Sequence, residues 1–464
     1  MPTQDEKASK RSCLFLSILF FVVLPFSSIA LGLLLWSARE SSGNRRLAAR
    51  KANMVKQGLP IDDKTMTQFF NDRTDPTNLA AWQNVLATIA DKEYQDSRNE
   101  VATFWEDMIF REPIVPDIPW EDEAASFSFL DKWKTLHEEV VQLSIDAKPV
   151  RFHTQFNSTN TLLPEVQSLM PIARTLELQG RVGLRARNSA VVRENLEALL
   201  GLSNIPTGYP SLVSQFVSFA IDGIAMDLLK DAIEFDVLSE VDLQILLPKV
   251  LEVSDFGEDW KATIAVERGI ALPMFSNPEK GKSVGVTSLP GRSHDALLYL
   301  DLMEGLIDIP LEDLAEFKAR LQNVESRVQE IANANLLAKF DSIITLQTIP
   351  SMQGVGEAFI RRALMHRMAA LAIGLRLYED RNGSLPKSIQ VLSEISLDIK
   401  RLTPTNGTSF GYRVDRDNAK LWGGSNKDTL KIASEPHTIE SMRAESLESS
   451  RRENWLWELP AGRK

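Results

Sequence analysis

The sequence predicts a mainly α fold: an N-terminal transmembrane helix, an irregular antiparallel helical body, and a small C-terminal α+β module of one helix and a β-hairpin. Three observations predict it. Residues 13–36 (CLFLSILFFVVLPFSSIALGLLLW) form an apolar run without a charge. Through most of 61–345 apolar residues recur at spacings of three and four. Near residue 410 the period changes to two on both sides of a polar turn. The resulting divisions are a head (1–12), the anchor (13–36), a basic juxtamembrane segment (37–60), the helical body (61–345), the C-terminal module (346–437) and a polar tail (438–464).

About 20 apolar residues suffice to cross a bilayer as a helix, and in hydrocarbon the backbone can satisfy its polar groups only internally. Residues 13–36 therefore read as one lipid-spanning anchor, with no comparable run after Trp36. A cleaved signal peptide is the rival reading, because Lys7, Lys10 and Arg11 form a positive head and Ser28-Ile29-Ala30 offers a small-x-small site. Signal h-regions run about 7–15 residues, whereas here apolar residues continue through Leu31, Leu33, Leu34, Leu35 and Trp36. Length favours retention as an uncleaved signal anchor. Cys13 follows Lys10-Arg11-Ser12, which is no lipobox, and as the sole cysteine it has no disulfide partner within the chain. Flanking charge leaves the orientation contested. Arg39, Arg45, Arg46, Arg50 and Lys51 outnumber the basic residues of the head, which favours a cytoplasmic body. A short charged head before a long apolar run is instead the layout of an exported one.

With 52 basic and 63 acidic residues the net charge is −11. That disfavours nucleic acid as a partner, since phosphate binding uses clustered Lys and Arg. Apolar residues at 44 % and charged residues at 25 % are enough for a buried core, and the length of the body implies two or more domains.

Along the body, 60–111 has a helical pattern with Leu79, Trp82, Val85, Leu86 and Ile89 on one face, and Asp75-Pro76-Thr77 offers a helix start. The prolines of 112–120 interrupt it. Helices are then expected over 126–145, 164–178, 189–202, 211–235 and 239–253, joined by short breaker-rich links such as 203–210 (SNIPTGYP). Such helices pack as antiparallel neighbours. Residues 272–294 read as a long polar loop. Leu314, Phe317, Leu321, Val324, Val328 and Ile331 make a heptad seam too short for a free coiled coil, hence a bundle helix.

The C-terminal module opens with a helix over 360–379, closed at Gly383 by a left-handed cap. Strands over 409–414 and 419–422 follow, separated by Asp415-Arg416-Asp417-Asn418. Leu371, Leu375 and Tyr378 share a helix face, and Phe410, Tyr412 and Val414 alternate on a strand face. Two strands need a covering helix, so these faces should meet. Beyond Ile439 the polar run predicts a mobile or weakly helical tail despite Trp455 and Trp457.

This order of helix, loop and strands resembles the periplasmic end of type II secretion major pseudopilins, where a leu-x-leu-tyr-x-x-asp-x-gly-x-tyr-pro helix end leads into a loop-and-strand region. The matching positions are Leu375, Leu377, Tyr378, Gly383, Pro386 and Leu392, with Trp422-Gly423-Gly424 at the close. The anchor has no prepilin-peptidase junction, and only Asp428 remains of the acidic loop that can hold calcium in pseudopilins. The whole layout is similar to uncharacterised, membrane-anchored, mainly helical proteins of planctomycete bacteria. That resemblance implies an inner-membrane protein with a periplasmic body, and it decides the orientation adopted here.

No residue is assigned a catalytic, cofactor-binding or metal role. Residues 276–283 (SNPEKGKS) end like a phosphate loop but lack its first glycine. His137, His153, His294, His366 and His437 are too scattered for metal-ligand spacing; His137-Glu138-Glu139 lacks a second histidine and reads as surface helix charge. His294-Asp295 borders the long loop, and an Asp can orient a His for base catalysis, yet a helix-start role for Ser293 or Asp295 fits better. Glu121-Asp122-Glu123 reads as an acidic first helical turn rather than a cation site. Asn157, Asn382 and Asn406 begin chance sequons. The expected partners are the lipid bilayer, through 13–36, and an unidentified protein. The leading expectation is a non-enzymatic interaction or scaffold role, with a membrane-bound hydrolase near 272–294 or an accessory pseudopilus component as alternatives.

Overall fold

Helix α1 runs unbroken from Leu24 to Lys56 over 33 residues, about 50 Å at the helical rise of 1.5 Å per residue. The computed structural model describes residues 24–72, 78–101, 116, 118–120, 123–150, 152, 163–253, 257–276, 292–307, 309, 313–349, 352–404, 410–415, 418–425, 428–432 and 456–460. Residues 13–23 of the expected anchor lie outside that set. In the described part of the expected anchor Leu31, Leu34 and Leu35 are 58–68 % exposed. Further along, Leu47 and Met54 are buried, so the expected juxtamembrane segment is one helix docked on the body.

Short capped helices follow. α2 (Asp63–Asn71) is opened by a capping box between Asp62 and Thr65. α3 (Leu79–Ala90) buries Trp82, Val85, Leu86 and Ile89, as the spacing predicts. The expected start at 75–77 lies outside the described residues, and Asn78 takes the cap position. α4 (Lys92–Asn99) is capped by Asp91. The helix expected over 126–145 is two, α5 (Glu123–Lys132) and α6 (Lys134–Ser144), because Trp133 leaves helical geometry and sets its ring edge-on to Tyr94 at 5.0 Å. Likewise 164–178 divides into α7 (Pro164–Gln167) and α8 (Leu169–Arg185).

α9 (Ser189–Asn204), α10 (Leu212–Glu234) and α11 (Glu240–Val253) lie close to the expected bounds, with Asn188 and Ser211 as side-chain caps for α9 and α10. α9 passes so near the end of α6 that a Cβ on Gly201 would sit 1.8 Å from the Ser144 carbonyl oxygen. α10 corrects the expectation that no second run compares with the anchor: by length and hydropathy it could cross a membrane. Its buried Asp222 is paired inside the protein, which makes it a core helix.

α12 (Gly257–Ala271) leads into a 3₁₀ turn, Leu272–Phe275, whose residues are buried. The expected polar loop therefore begins as core. It also ends early, because α13 (Arg292–Ile307) already contains Ser293 and His294; 277–291 lie outside the described residues. α14 (Leu314–Asn333) is the expected seam helix and buries Leu314, Phe317 and Leu321. α15 (Leu336–Asp341) and α16 (Ile343–Thr348) are short. α17 (Met352–Asn382) is the axis of the body, touching α10, α11 and α14. It is apolar nearly all round between Met368 and Leu375, as a helix enclosed on every side must be. At Gly383 the backbone turns left-handed (φ +74) and the amide donates to the Glu379 carbonyl at 2.7 Å, as predicted.

The strands are β1 (Gly411–Asp415), β2 (Asn418–Trp422), β3 (Gly424–Ser425), β4 (Asp428–Ile432) and β5 (Leu456–Pro460). β1, β2 and β5 form an antiparallel sheet in the order β1-β2-β5, and β3 pairs with β4. β5 overturns the expected mobile or weakly helical tail at 456–460. It is held by β2, α10 and α17, all distant in sequence. Val414 also departs from expectation: it is 40 % exposed on the outer strand, and the buried face belongs to Ala419 and Leu421. Tyr412 is half-buried and its hydroxyl donates to the Pro386 carbonyl at 2.8 Å. Replacing Tyr412 by Ala should cost about 2 kcal/mol in urea unfolding, less than a fully enclosed ring. A loss above about 4 kcal/mol would mean the ring is core.

Candidate functional site

A polar seam of ion pairs and hydrogen bonds joins α1 to α13. Arg50 pairs with Asp301 and, through two nitrogens, with Glu304. Burial alone would lower the Arg50 pKa, but hydrogen bonds and charge from these two carboxylates outweigh it and raise it. Nearly three turns toward the apolar end, Glu40 accepts from the Ser293 amide at 3.1 Å, the His294 imidazole meets the Arg39 carbonyl at 3.3 Å, and Arg39 pairs with Asp341 at 3.0 Å. A shallow open hollow runs along the same helix, lined by Trp36, Glu40, Asn44, Arg45 and their neighbours.

His294 belongs to this seam, whereas Asp295 is bonded to α16. Asp295 is 3 % exposed. It accepts from the amides of Ile344 (2.9 Å) and Thr345 (3.2 Å) and from the Thr345 hydroxyl. Its carboxylate closes the first turn of α16 and is not hydrogen-bonded to His294. Burial raises its pKa, against those hydrogen bonds. The helix-start role was expected on α13, but Asp295 serves the neighbouring helix. Asp295→Ala should therefore cost about 1–2 kcal/mol, as loss of a helix cap does, read as a lower melting temperature. An unchanged melting temperature would rule out the capping role.

His137 is not surface charge. It is 2 % exposed, with its ring 5.4 Å from Phe129 and 6.3 Å from Tyr94. His366 is fully buried on α17, its Nδ1 3.2 Å from the Val250 carbonyl and its Nε2 3.7 Å from Asp222. His153 and His437 lie outside the described residues, as do Asn157, Asn406, Glu121, Asp122 and 277–283 of the loop resembling a phosphate loop. Glu123 opens α5 and pairs with Arg185 at 3.4 Å. Asn382 turns its amide back to the Tyr378 carbonyl.

Buried ionic networks escaped the sequence reading, and two of them are central to the packing of α10. One is Asp222 with Arg362, joined by His366 and, 3.7 Å from Arg362, Asp259. The other gathers Glu177, Asp227 and Asp231 around Arg181. There burial pushes Asp227 up to about 7, with Arg181 pulling down and Glu177 and Asp231 pushing further up. A charge inside an apolar run was the available signal, since a buried carboxylate requires a partner. The ion pairs of these networks join neighbouring helices, Arg362 of α17 to Asp222 of α10 and Arg181 of α8 to Asp231 of α10. No group of three or more His, Cys, Asp or Glu side chains among the described residues is disposed to hold a metal ion.

No family profile, curated protein or solved structure matches the chain.

Proposed function

We propose that this is a single-pass inner-membrane protein with a periplasmic helical body, acting without catalysis to hold or organise a partner protein at the membrane. The observation that carries the reading is α1. One helix runs from exposed Leu31, Leu34, Leu35 and Trp36, continuous in sequence with the charge-free 13–23, into an ion-paired dock on α13. A span joined this way transmits position and tilt to the body instead of tethering it loosely. The pseudopilin likeness rests on the residues quoted for it and the planctomycete likeness on the layout of the chain, and an accessory pseudopilus role is the narrower variant of this proposal.

Alkaline phosphatase fused after Lys464 should be active, and the fusion should stay in the membrane pellet through carbonate extraction. An inactive fusion with an active cytoplasmic reporter at the same place would reverse the orientation, and release into the supernatant would remove the anchor. The hydrolase alternative is tested by a substrate screen of the full chain. Because Asp295 holds α16, the diagnostic variant is His294→Ala alone, and activity abolished by it would replace the scaffold reading.

A further inference from the structure

β5 is bound the way a peptide is bound. It follows β4 only after the polar run 433–455, and its contacts are to α10, α17 and β2. On one edge its backbone pairs antiparallel with β2, from Asn418↔Pro460 to Trp422↔Leu456. On the other edge side chains replace a further strand. Glu234 of α10 accepts the Glu458 amide at 3.0 Å, and Arg376 of α17 donates to the Pro460 carbonyl. Trp457 and Leu459 alternate on one face opposite Leu421 and Ala419, with all four at most 1 % exposed. Leu456 lies opposite Trp422 and is buried as well. Pro460, which has no N–H to give, ends the ladder. Lys420 adds a cross-strand pair to Glu458 at 3.0 Å.

The receiving surface is complete without its occupant. β1 and β2 pair with each other along their whole length. Arg376, 1 % exposed, keeps Glu379 at 2.7 Å and the Ile233 carbonyl at 3.2 Å. Glu234 keeps Lys230 at 3.6 Å. None of these Arg376 and Glu234 contacts involves β5. Removing β5 uncovers an apolar slot and a free strand edge, the two features by which sheets take up extended peptides.

We propose that the slot between α10, α17 and the edge of β2 is a peptide-binding groove, that its ligand is an extended segment of the pattern Leu-Trp-x-Leu-Pro, and that β5 is that ligand held in cis. The β2 edge supplies affinity without regard to sequence. The Trp457 and Leu459 positions supply selectivity, and Arg376 fixes register at the terminal carbonyl. The groove is independent of the membrane reading, since nothing in it involves α1.

The test uses the full chain with a protease site inserted within 433–455 and cut after folding, together with a fluorescent peptide of residues 454–462 (NWLWELPAG). The cut protein should exchange its strand for the labelled peptide saturably. A peptide with Trp457→Ala should bind at least about thirtyfold more weakly, the loss expected for a buried aromatic anchor. The uncut chain should take up far less, because a tethered strand competes at roughly millimolar effective concentration. A second variant guards against loss of the fold: the uncut chain with Trp457→Ala should keep its helical circular dichroism and bind the unmodified peptide. Failure of the cut chain to exchange, equal binding of both peptides, or unfolding of the Trp457→Ala chain would each show that β5 is a fixed part of the fold and overturn the proposal.

Discussion

Replacing Asp222 by Ala is expected to destabilise the chain by about 3–5 kcal/mol, the usual cost of removing one member of a buried ion pair. Asp222 is 1 % exposed and Arg362 4 %, and the two are hydrogen-bonded between α10 and α17. The guanidinium also lies over the Phe219 ring at 5.0 Å. With the carboxylate gone it stays in an apolar surround, with Asp259 at 3.7 Å too distant to replace the lost bond. The paired change Asp222→Leu with Arg362→Met should recover most of the loss, since removing both charges also removes their desolvation cost. Acid should act through the same pair. Burial raises the Asp222 pKa, but the Arg362 charge, then the His366 contacts, outweigh it and hold it below the ordinary 3.8. The stability from this depressed pKa is present above pH 3.8 and is lost as pH falls through the folded value. Urea midpoints of the parent, single and double variants decide it, and an Asp222→Ala chain within 1 kcal/mol of the parent would mean that the pair is solvated.

What local sequence could reveal and what it could not divides along physical lines. α3, α9, α10 and α17 were legible because the spacing of apolar residues and the cap at Gly383 act within a few residues. Trp133 broke a helix for the sake of a ring contact with Tyr94, 39 positions away in sequence. β5 was illegible for the same reason, because it is held by β2, Glu234 and Arg376, all distant in sequence. Asp295 showed the character of a helix cap, but only the fold could disclose that the helix was α16. The polar networks were hidden more deeply. Asp222 and Arg362 are 140 positions apart, and their meeting follows from how α10 crosses α17, which no local pattern encodes.

His137 carries the second large expectation, a loss of about 3 kcal/mol of stability as pH falls from 6.5 to 4. The imidazole is packed against Phe129 and Tyr94, and neither ring nitrogen has a hydrogen-bond partner among the described residues. Burial pushes its pKa from 6.5 down to about 4. The folded state therefore holds it neutral over a range where the unfolded chain binds a proton. Each unit of that gap is worth about 1.4 kcal/mol. A depressed histidine pKa costs nothing above 6.5, and the penalty grows as pH falls, levelling off below the folded value. His137→Phe keeps an aromatic ring of similar size in the cluster and removes the titrating group. That variant should match or exceed the parent at pH 7, where a buried unbonded imidazole is already a liability, and should lose about 3 kcal/mol less between pH 6.5 and 4. Urea midpoints for both chains at pH 7 and 4.5 test the difference. Parallel pH slopes, or a His137 resonance that titrates near 6.5 in the folded protein, would place the ring in water and sink the argument.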